Sequence, residues 1–494
     1  MASVQILCAC TSSSHVQHQG SIRYRYGYPS EKMNGRRCSV RVEGGNGMVV
    51  PSSEEEKRKL RVLVAGGGIG GLVLALAAKH KGYAVKVFEK DLSAVRGEGR
   101  HRGPIQLLSS ALAVLEAIDQ SVAWKIKEAG CVTANRTNGF ADGLSGEWFG
   151  EFDLLTPASR KRLPLTLVIC RMTLQDILVN AVGPKILRNK SKVVDFIQEP
   201  SKVRVILENG EQHDGDILIG ADGIWSEVRS KLFGRQEANY SGFTSYSGLT
   251  SYVPPYIHTI GYRVFLGMNQ YFVASDVGHG KMQWYAFHAE PPSNDPFLEA
   301  GKKKRLLDLF GNWCNEVITL ISETPENMIL QRDIYDRDMI NTWGIDRVTL
   351  LGDAAHPMQP NLGQGGCMAI EDSYQLILEL DKIAKHDPDE SEVISALRRY
   401  EKKRIPRVRV LHTASRMASK MLVNYQPYIE FKFWPLSENE INIQIKHPGI
   451  HVAGALFKFT FPQFVIWMMA GHGYQFLQNF FQPSFLFFIL SFEY

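Results

Sequence analysis

The chain has 494 residues, of which 44% are hydrophobic and 22% are charged, as is typical of one large or two ordinary globular cores. This composition excludes an intrinsically disordered protein. The formal net charge is +5, most of it in the first 59 residues, so the body of the chain lacks the basic excess that nucleic-acid binding requires.

Residues 1–59 have the composition of a targeting peptide. They are rich in Ser and Arg, and Glu31 is their only acidic residue before Glu43. This pattern predicts an organellar transit peptide, with a disordered arm as the alternative. Three of the seven cysteines lie in this segment, and none of the seven has metal-ligand or disulfide spacing. The cysteines therefore predict a reducing compartment and no metal site.

A βαβ unit is predicted next. The apolar run Leu60 to Ala65 is a buried strand, the GxGxxG motif from Gly66 to Gly71 turns into a helix, and a second strand, Ala84 to Phe88, stops at Glu89. The glycines allow a tight turn and a close approach of the backbone to a pyrophosphate. An acidic residue after the second strand accepts hydrogen bonds from ribose hydroxyls and disfavours a 2′-phosphate. We therefore expect FAD or NAD rather than NADP.

A hairpin and a further strand follow. The dipeptide Asn209-Gly210 predicts a tight turn between two strands, and a third strand, Asp216 to Gly220, leads to Asp222. Two interpretations of Asp222 stay open at this point. It is a cofactor ligand, or it is a helix N-cap with Arg229 as a surface charge.

A second strand-to-helix turn lies in the segment Leu350 to Gly366, LLGDAAHPMQPNLGQGG. A buried strand stops at Asp353, and a loop rich in Gly and Pro leads into a helix. The free N–H groups and positive dipole end of such a helix attract an anionic or electron-rich ligand. One dinucleotide that touches both glycine-rich turns explains why the two occur together. His356 in this loop is interpreted as structural rather than catalytic.

In this order and spacing, the GxGxxG, Asp222-Gly223 and Gly352-Asp353 motifs resemble the class A FAD-dependent monooxygenases of the aromatic-ring-hydroxylase type, over about Leu60 to Leu411. The resemblance implies an α/β fold in which a Rossmann-like FAD-binding domain, of the glutathione-reductase and p-hydroxybenzoate-hydroxylase type, is interleaved with a β-sheet substrate domain and followed by C-terminal helices. The implied domains are the FAD-binding domain at 60–235 and 336–420, the substrate sheet at 236–335 and a C-terminal apolar segment at 421–494.

The resemblance also implies which residues meet FAD. The first turn and strand would hold the pyrophosphate and ribose, Asp353 the ribityl chain, and the backbone near Gly363 the flavin ring. Because a flavin C4a-hydroperoxide would carry out the chemistry, no catalytic side chain is predicted. The implied cofactor-binding residues are Gly66, Gly67, Gly68, Ile69, Gly70, Gly71, Glu89, Lys90, Arg102, Gln106, Arg171, Asp222, Gly352, Asp353, Ala354, Pro360, Gly363, Gln364 and Gly365.

Three stretches, Arg102 to Asp119, Gly261 to Pro292 and Leu350 to Leu376, resemble plant members of this class that epoxidise carotenoids. This closer resemblance implies zeaxanthin and antheraxanthin as substrates with O2, reduced ferredoxin or NADPH as the source of electrons, and a chloroplast location in contact with a membrane. Aromatic residues of the alternating runs between Phe243 and Ala289 would line the substrate tunnel. The predicted contacts are Tyr262, Phe265, Phe272, Trp284, Tyr285 and Phe287, with Tyr271 as a further aromatic of the same runs.

The C-terminal part departs from the family. Glu379 to Met421 predicts helices that pause near Pro388 and Pro406. Phe459 to Phe492 contains no Asp, Glu, Lys or Arg, but polar residues and prolines interrupt it too often for a spanning helix. We expect either a peripheral membrane contact or a terminal helix that caps the body. The forkhead-associated domain with which these relatives continue is not predicted here.

Two other functions stay open. One is a class A hydroxylase of a small phenol, which would have a smaller pocket without an elongated apolar tunnel. The other is an inactive FAD-binding isoform with a regulatory or carotenoid-binding role, which the unusual C-terminal sequence suggests.

Overall fold

A computed structural model of the chain describes residues 59–93, 103–292, 301–384, 389–433 and 441–447, together with Phe464, Trp467 and Met468. The predicted transit peptide, Arg102 and most of the apolar segment from Phe459 onwards lie outside the described residues.

The strands of the described residues, in chain order, are β1 (Arg61–Ala65), β2 (Ala84–Phe88), β3 (Pro104–Leu107), β4 (Cys131–Val132), β5 (Thr137–Asp142), β6 (Trp148–Glu151), β7 (Leu167–Cys170), β8 (Leu187–Arg188), β9 (Val193–Glu199), β10 (Lys202–Leu207), β11 (Gln212–Gly215), β12 (Ile217–Gly220), β13 (Asn239–Thr250), β14 (Ile260–Gly267), β15 (Gln270–Asp276), β16 (Met282–Ala289), β17 (Ile329–Asp336), β18 (Gly344–Ile345), β19 (Val348–Leu350), β20 (Tyr428–Phe433) and β21 (Ile441–Lys446).

The α-helices of the same residues are α1 (Ile69–His80), α2 (Ser109–Ile118), α3 (Gln120–Ala129), α4 (Leu155–Arg160), α5 (Arg171–Val182), α6 (Glu227–Phe233), α7 (Lys302–Phe310), α8 (Asn315–Ser322), α9 (Gly365–Ile383) and α10 (Glu390–Val423). Short 3₁₀ turns span Glu326–Met328, Gly352–Ala354 and Pro360–Leu362.

The first sheet is mostly parallel. Among the described residues its strand order is β18-β19-β12-β1-β2-β8, and β1 pairs in parallel with both β12 and β2. Its central strand is apolar and buried at Val62, Leu63 and Val64, as expected for a strand covered on both faces. Because β1, β12 and β19 are parallel, their carboxyl ends meet at one edge of the sheet. The turns at Gly66, Asp222 and Gly352 all leave from that edge.

The predicted hairpin at Asn209-Gly210 is confirmed. Strands β10 and β11 pair antiparallel on either side of it, and Gly210 has a φ of +84°, in the left-handed region that favours glycine. The strand predicted from Asp216 to Gly220 is β12, which carries the chain to Asp222.

The second sheet is mostly antiparallel, with the order β17-β13-β16-β15-β14-β5-β6 in the described part of the chain. Its strands β5 and β6 come from well before the range predicted for the substrate domain, and β17 ends at Asp336. One face packs against α7 and α8, through Leu306, Phe310 and Leu320. The other face lines a large cavity beside the first sheet.

Two long helices follow. Helix α9 packs against α1, and α10 packs against α9. Asp389 caps α10 in a capping box with Glu392. The predicted pause at Pro406 is wrong, because α10 continues through this residue to Val423. An internal proline removes one helical hydrogen bond and costs about 3 kcal/mol, which here is offset by packing and ion pairs on both sides of Pro406.

No helix among the described residues is long and apolar enough to cross a membrane. Within Phe459 to Phe492 the described residues are Phe464, Trp467 and Met468, and they pack against the core of the body.

Candidate functional site

The glycines of the turn between β1 and α1 serve two different purposes. A Cβ added to Gly66, whose φ is +106°, would lie 2.3 Å from the carbonyl oxygen of Ala221, and one added to Gly71 would lie 2.1 Å from that of Gly66. A Cβ on Gly68 would meet no protein atom within 4 Å, because this residue lines the cavity. The fold therefore requires glycine at Gly66 and Gly71, whereas the empty space at Gly68 suits an approaching ligand.

Glu89 lies beside this turn. It is 6% exposed, and its carboxylate accepts hydrogen bonds from the N–H groups of Gly67 at 2.7 Å and of Asp91 at 2.9 Å. Each carboxylate oxygen has a further lone pair, so Glu89 can also accept from a ribose hydroxyl. Lys90, the next residue, is exposed.

Asp222 lies four residues before Ser226, which is the N-cap of helix α6. Its carboxylate accepts from the Ser226 hydroxyl at 2.5 Å and from the N–H of Glu227 at 2.8 Å. Burial raises the pKa of Asp222, against the opposing effect of these hydrogen bonds. Asp222 therefore accepts from the first N–H groups of α6, but the predicted N-cap position is wrong because Ser226 occupies it. The neighbours of Asp222, Ala221 and Gly223, line the cavity.

Arg229 is not a surface charge, so that part of the alternative is wrong. It is 3% exposed, and its guanidinium donates to the carbonyl oxygens of Ala354 at 3.3 Å and Ala355 at 2.9 Å. Arg229 therefore ties α6 to the loop that follows β19.

The loop after β19 presents polar groups to the cavity. Gly352 has a φ of +61°, and Asp353 is exposed on the cavity wall with no described residue donating to its carboxylate. Gly363, with a φ of +63°, ends the Pro360–Leu362 turn. Helix α9 begins at Gly365 and points its free N–H groups and positive dipole end into the same space.

Gln364 caps the start of α9. It is 1% exposed, and its side-chain Oε1 has no hydrogen-bond partner among the described residues. A buried, unpaired acceptor beside a cavity is costly unless a ligand satisfies it.

A buried network of ion pairs and hydrogen bonds holds the loop after β19 in place. The sequence did not predict this network. Asp372 of α9 accepts from the N–H of Gly352 at 3.1 Å, from His356 Nε2 at 2.6 Å and from Arg404 Nε at 2.6 Å. Arg404 also donates to Glu371 at 2.8 Å. His356 is therefore structural, as predicted. The charged residues of α10 gave no signal that they point inward.

Arg171 and Gln106 also line the cavity, and Gln106 lies next to the start of α9, where the Sγ of Cys367 donates to its carbonyl oxygen. Helix α5 begins at Arg171, and its Leu174 and Leu178 lie in the core. The guanidinium Nε of Arg171 is buried without a hydrogen-bond partner among the described residues. Gln106 lies on strand β3.

One cavity of about 1530 Å³ connects the first turn at Gly68, the side chains of Gln106, Arg171 and Asp353 and the start of α9 with the second sheet. Ligand pockets usually measure roughly 300–1,000 Å³, so this cavity has room for more than one bound molecule. On the sheet side its wall is formed by alternate residues of β14, β15 and β16. These are Tyr262, Val264, Leu266, Tyr271, Val273, Tyr285 and Phe287.

Three predicted substrate contacts are corrected. Phe265, Phe272 and Trp284 are fully buried in the cluster that packs against α7 and α8, on the other face of the sheet. Side chains alternate between faces along a strand, so residues one position away from a cavity residue point away from the cavity. Tyr262, Tyr285 and Phe287 lie on the cavity face as predicted.

Further lining residues come from elements that the sequence did not connect to the site. Phe140 and Phe149, from β5 and β6, close one side, and Leu422 and Tyr425 contribute from the end of α10. Phe464 and Met468 line the cavity as well.

Comparison with known proteins agrees with this geometry. A family model described as an FAD binding domain matches residues 323–415, which contain the loop after β19 and most of α9 and α10. The chloroplastic zeaxanthin epoxidase of Oryza sativa subsp. japonica is 57% identical over 84% of this chain and 63% of its own length. That of Nicotiana plumbaginifolia is 52% identical over 90% of this chain and 70% of its own length. The chain belongs to the zeaxanthin epoxidase family. It spans a little under two thirds of the length of most of these relatives.

Solved structures share the fold. Klebsiella pneumoniae HpxO complexed with FAD and uric acid superimposes with a TM-score of 0.66 at 24% identity, covering 74% of this chain and 90% of that one. A salicylate hydroxylase substrate complex gives 0.63 at 20% identity, covering 83% and 98%. The predicted α/β fold of the class A monooxygenases is confirmed.

FAD is the cofactor of this family domain, and the residues present fit it. The space at Gly68 suits a pyrophosphate, and Glu89 and Asp353 offer acceptors for the hydroxyls of ribose and ribityl. The N-terminus of α9 suits the electron-rich edge of a flavin ring. The individual contacts remain predictions.

Proposed function

We propose that this chain is a chloroplast FAD-dependent monooxygenase that epoxidises zeaxanthin to antheraxanthin and then violaxanthin. The observation that carries the proposal is the single cavity that joins the FAD-binding turns to an aromatic and aliphatic sheet face. Its volume of about 1530 Å³ suits a cofactor together with an elongated apolar substrate, and is larger than a small phenol needs.

The reaction balances with two electrons and two protons. One atom of O2 enters the ring double bond as the epoxide, and the other leaves as water. Reduced FAD supplies the activation of O2. The protein's own part is to bind the cofactor through the turns at Gly68 and Gly352, to orient the ring along the cavity wall, and to exclude water.

The electron donor and the membrane contact are further parts of the proposal. Among the described residues no second GxGxxG motif follows a strand, as a separate nicotinamide domain would require, so we propose reduced ferredoxin or an NADPH-dependent carrier as donor. The carotenoid is soluble in lipid, and the relatives are named chloroplastic, which supports a peripheral position at a chloroplast membrane.

The test uses the full chain, reconstituted with FAD and supplied with zeaxanthin in lipid micelles, reduced ferredoxin and O2. We expect antheraxanthin first and violaxanthin later. Parallel reactions without ferredoxin, or with NADPH alone, identify the donor. A chain that holds stoichiometric FAD and is reduced by the donor, yet forms no epoxide, would contradict the proposal and favour an inactive carotenoid-binding isoform.

A further inference from the structure

Three phenol hydroxyls, those of Tyr262, Tyr271 and Tyr285, lie on the otherwise apolar sheet wall of the cavity. Tyr262 and Tyr271 lie on the cavity face of β14 and β15, among Val264, Leu266 and Val273. A polar group in an apolar wall usually fixes the orientation of a ligand.

The hydroxyl of Tyr271 has its donor side available. Tyr271 is 4% exposed, its ring stacks on Phe287 with centroids 4.1 Å apart, and its hydroxyl oxygen accepts from Asn361 Nδ2 at 3.1 Å. No described residue accepts the Tyr271 proton. Burial, and then the neighbouring Tyr262 phenol, raises the pKa of Tyr271 well above its ordinary value, so the group stays a protonated donor.

The other two candidate positions differ. The Tyr262 hydroxyl has no partner among the described residues, whereas the Tyr285 hydroxyl already donates to the carbonyl oxygen of Pro104 at 2.9 Å. Glu151 and Arg160 also line the cavity, but both are exposed to solvent. A substrate hydroxyl is stabilised most by a buried donor that has no acceptor in the protein, and the hydroxyl of Tyr271 is such a donor.

The position of Asn361 links this donor to the reacting end of the cavity. Asn361 belongs to the Pro360–Leu362 turn, directly before Gly363 and the start of α9. A group bound at Tyr271 therefore lies beside the turn that leads into α9, where the flavin ring is predicted to bind. In zeaxanthin, each cyclohexene ring carries a hydroxyl on the same ring as the double bond that is epoxidised.

We propose, on the basis of the function proposed above, that Tyr271 binds the hydroxyl of the ring being epoxidised, with Tyr262 as a second polar contact, and so selects hydroxylated over unsubstituted rings. Asn361 is a positioning residue. By occupying a lone pair of the Tyr271 oxygen, it directs the phenol proton towards the ligand. A ring without a hydroxyl would bury this donor unpaired, and sites of that kind reject such ligands strongly.

The test uses β-cryptoxanthin, which has one hydroxylated and one unsubstituted ring in the same molecule. The position of the epoxide measures the selectivity independently of enzyme concentration or electron supply. We expect the wild type to epoxidise the hydroxylated ring. Tyr271→Phe keeps the ring stacking and should raise the share of product on the unsubstituted ring by about tenfold to a hundredfold. Asn361→Ala should shift the ratio in the same direction by less.

The matched control is Tyr246→Phe. Tyr246 lies on the other face of the same sheet, where its hydroxyl oxygen accepts a hydrogen bond from Arg305 Nε at 2.9 Å. This variant should keep the wild-type product ratio. If Tyr271→Phe is folded, holds FAD and also keeps that ratio, the proposal is overturned.

A binding measurement separates this inference from the proposed function. Dissociation constants for zeaxanthin and β-carotene in micelles are obtained from quenching of tryptophan fluorescence. If the wild type forms no epoxide, the proposed function fails, but a preference for zeaxanthin that Tyr271→Phe abolishes still supports hydroxyl recognition. Hydroxyl recognition by Tyr271 is overturned if the wild type shows no preference for zeaxanthin over β-carotene, or if Tyr271→Phe keeps that preference.

Discussion

Arg404 donates from Nε to Oδ1 of Asp372 at 2.6 Å, and both side chains are fully excluded from solvent. The other oxygen of Asp372 holds the N–H of Gly352, so a helix near the C-terminus fixes the turn that presents Asp353 to the cavity. Burying charges is expensive, and removing one partner of a buried pair leaves the other uncompensated. The pair therefore couples the stability of the fold to the geometry of the FAD site.

Replacing Asp372 by Asn should lower both the stability of the fold and the affinity for FAD. The free energy of unfolding should fall by about 3 kcal/mol, because the Arg404 charge loses a partner, and FAD affinity should fall with it. Chemical denaturation and flavin titration measure the two effects. The control is Asp381→Asn, which breaks the exposed pair with Lys81 and should cost less than about 1 kcal/mol without changing FAD affinity. Equal effects of the two variants would show that the buried pair has no special role.

Glu371 makes the stability of the protein depend on acidity. Burial alone would raise its pKa, but the charges of Arg407 and Arg404 outweigh burial and hold the pKa at about 2, below the ordinary 4.5. Since the unfolded chain binds the proton more readily, the stabilisation is complete above about pH 4.5 and is lost as pH falls towards 2. The free energy of unfolding of the wild type should exceed that of Glu371→Gln by a few kcal/mol at pH 6. This difference should shrink as the pH falls from 4.5 to 2. A difference that is constant with pH contradicts this prediction.

How far the sequence predicted the site depends on how local the signals are. The turn at Gly66 and the helix start at Gly365 were predictable, because glycine spacing, strand and helix follow one another along the chain. The partners of Asp372 were not, because Arg404 lies 32 residues further on, in a helix whose charges suggested an exposed face. Nothing in the spacing of charges distinguishes a buried pair from a solvated one.

The choice of sheet face was also beyond the sequence. The strands showed alternation, but both faces of the second sheet are covered, one by α7 and α8 and the other by the cavity. Aromatic residues occur on both faces, so Phe272 and Phe287 were equally good candidates. Only the packing of α7, whose sequence begins with three lysines, decides which face is core.

Alanine substitutions should distinguish these two faces. Phe272→Ala removes a fully buried ring that stacks on Trp284, and should lower the free energy of unfolding by about 3–5 kcal/mol. Phe287→Ala removes an aromatic ring from the cavity wall, which enlarges the cavity, and should mainly weaken carotenoid binding. Thermal unfolding and carotenoid titration are the measurements. A larger loss of carotenoid affinity in folded Phe272→Ala than in Phe287→Ala would refute the assignment of faces.

The glycines of the first turn allow a similar comparison. Gly68→Ala adds a methyl group where no protein atom lies within 4 Å, so the apoprotein should keep its stability within about 0.5 kcal/mol. The methyl group would occupy the space of the pyrophosphate, and FAD affinity should fall at least about tenfold. Gly71→Ala would collide with the carbonyl of Gly66 and should destabilise the apoprotein itself. Unchanged FAD affinity in Gly68→Ala would mean that the cofactor does not pass this residue.

Asp353 provides the most direct test of the cofactor contacts. Its carboxylate is exposed on the cavity wall and receives no hydrogen bond from a described residue, so Asp353→Ala should leave the fold and its unfolding temperature nearly unchanged. The variant should nevertheless lose most of its FAD, because no other acidic side chain of this loop faces the cavity in the described part of the chain. Asp338→Ala is the control, since Asp338 is also exposed but pairs with Arg416 on the surface. Stoichiometric flavin in purified Asp353→Ala would show that the ribityl chain is bound elsewhere.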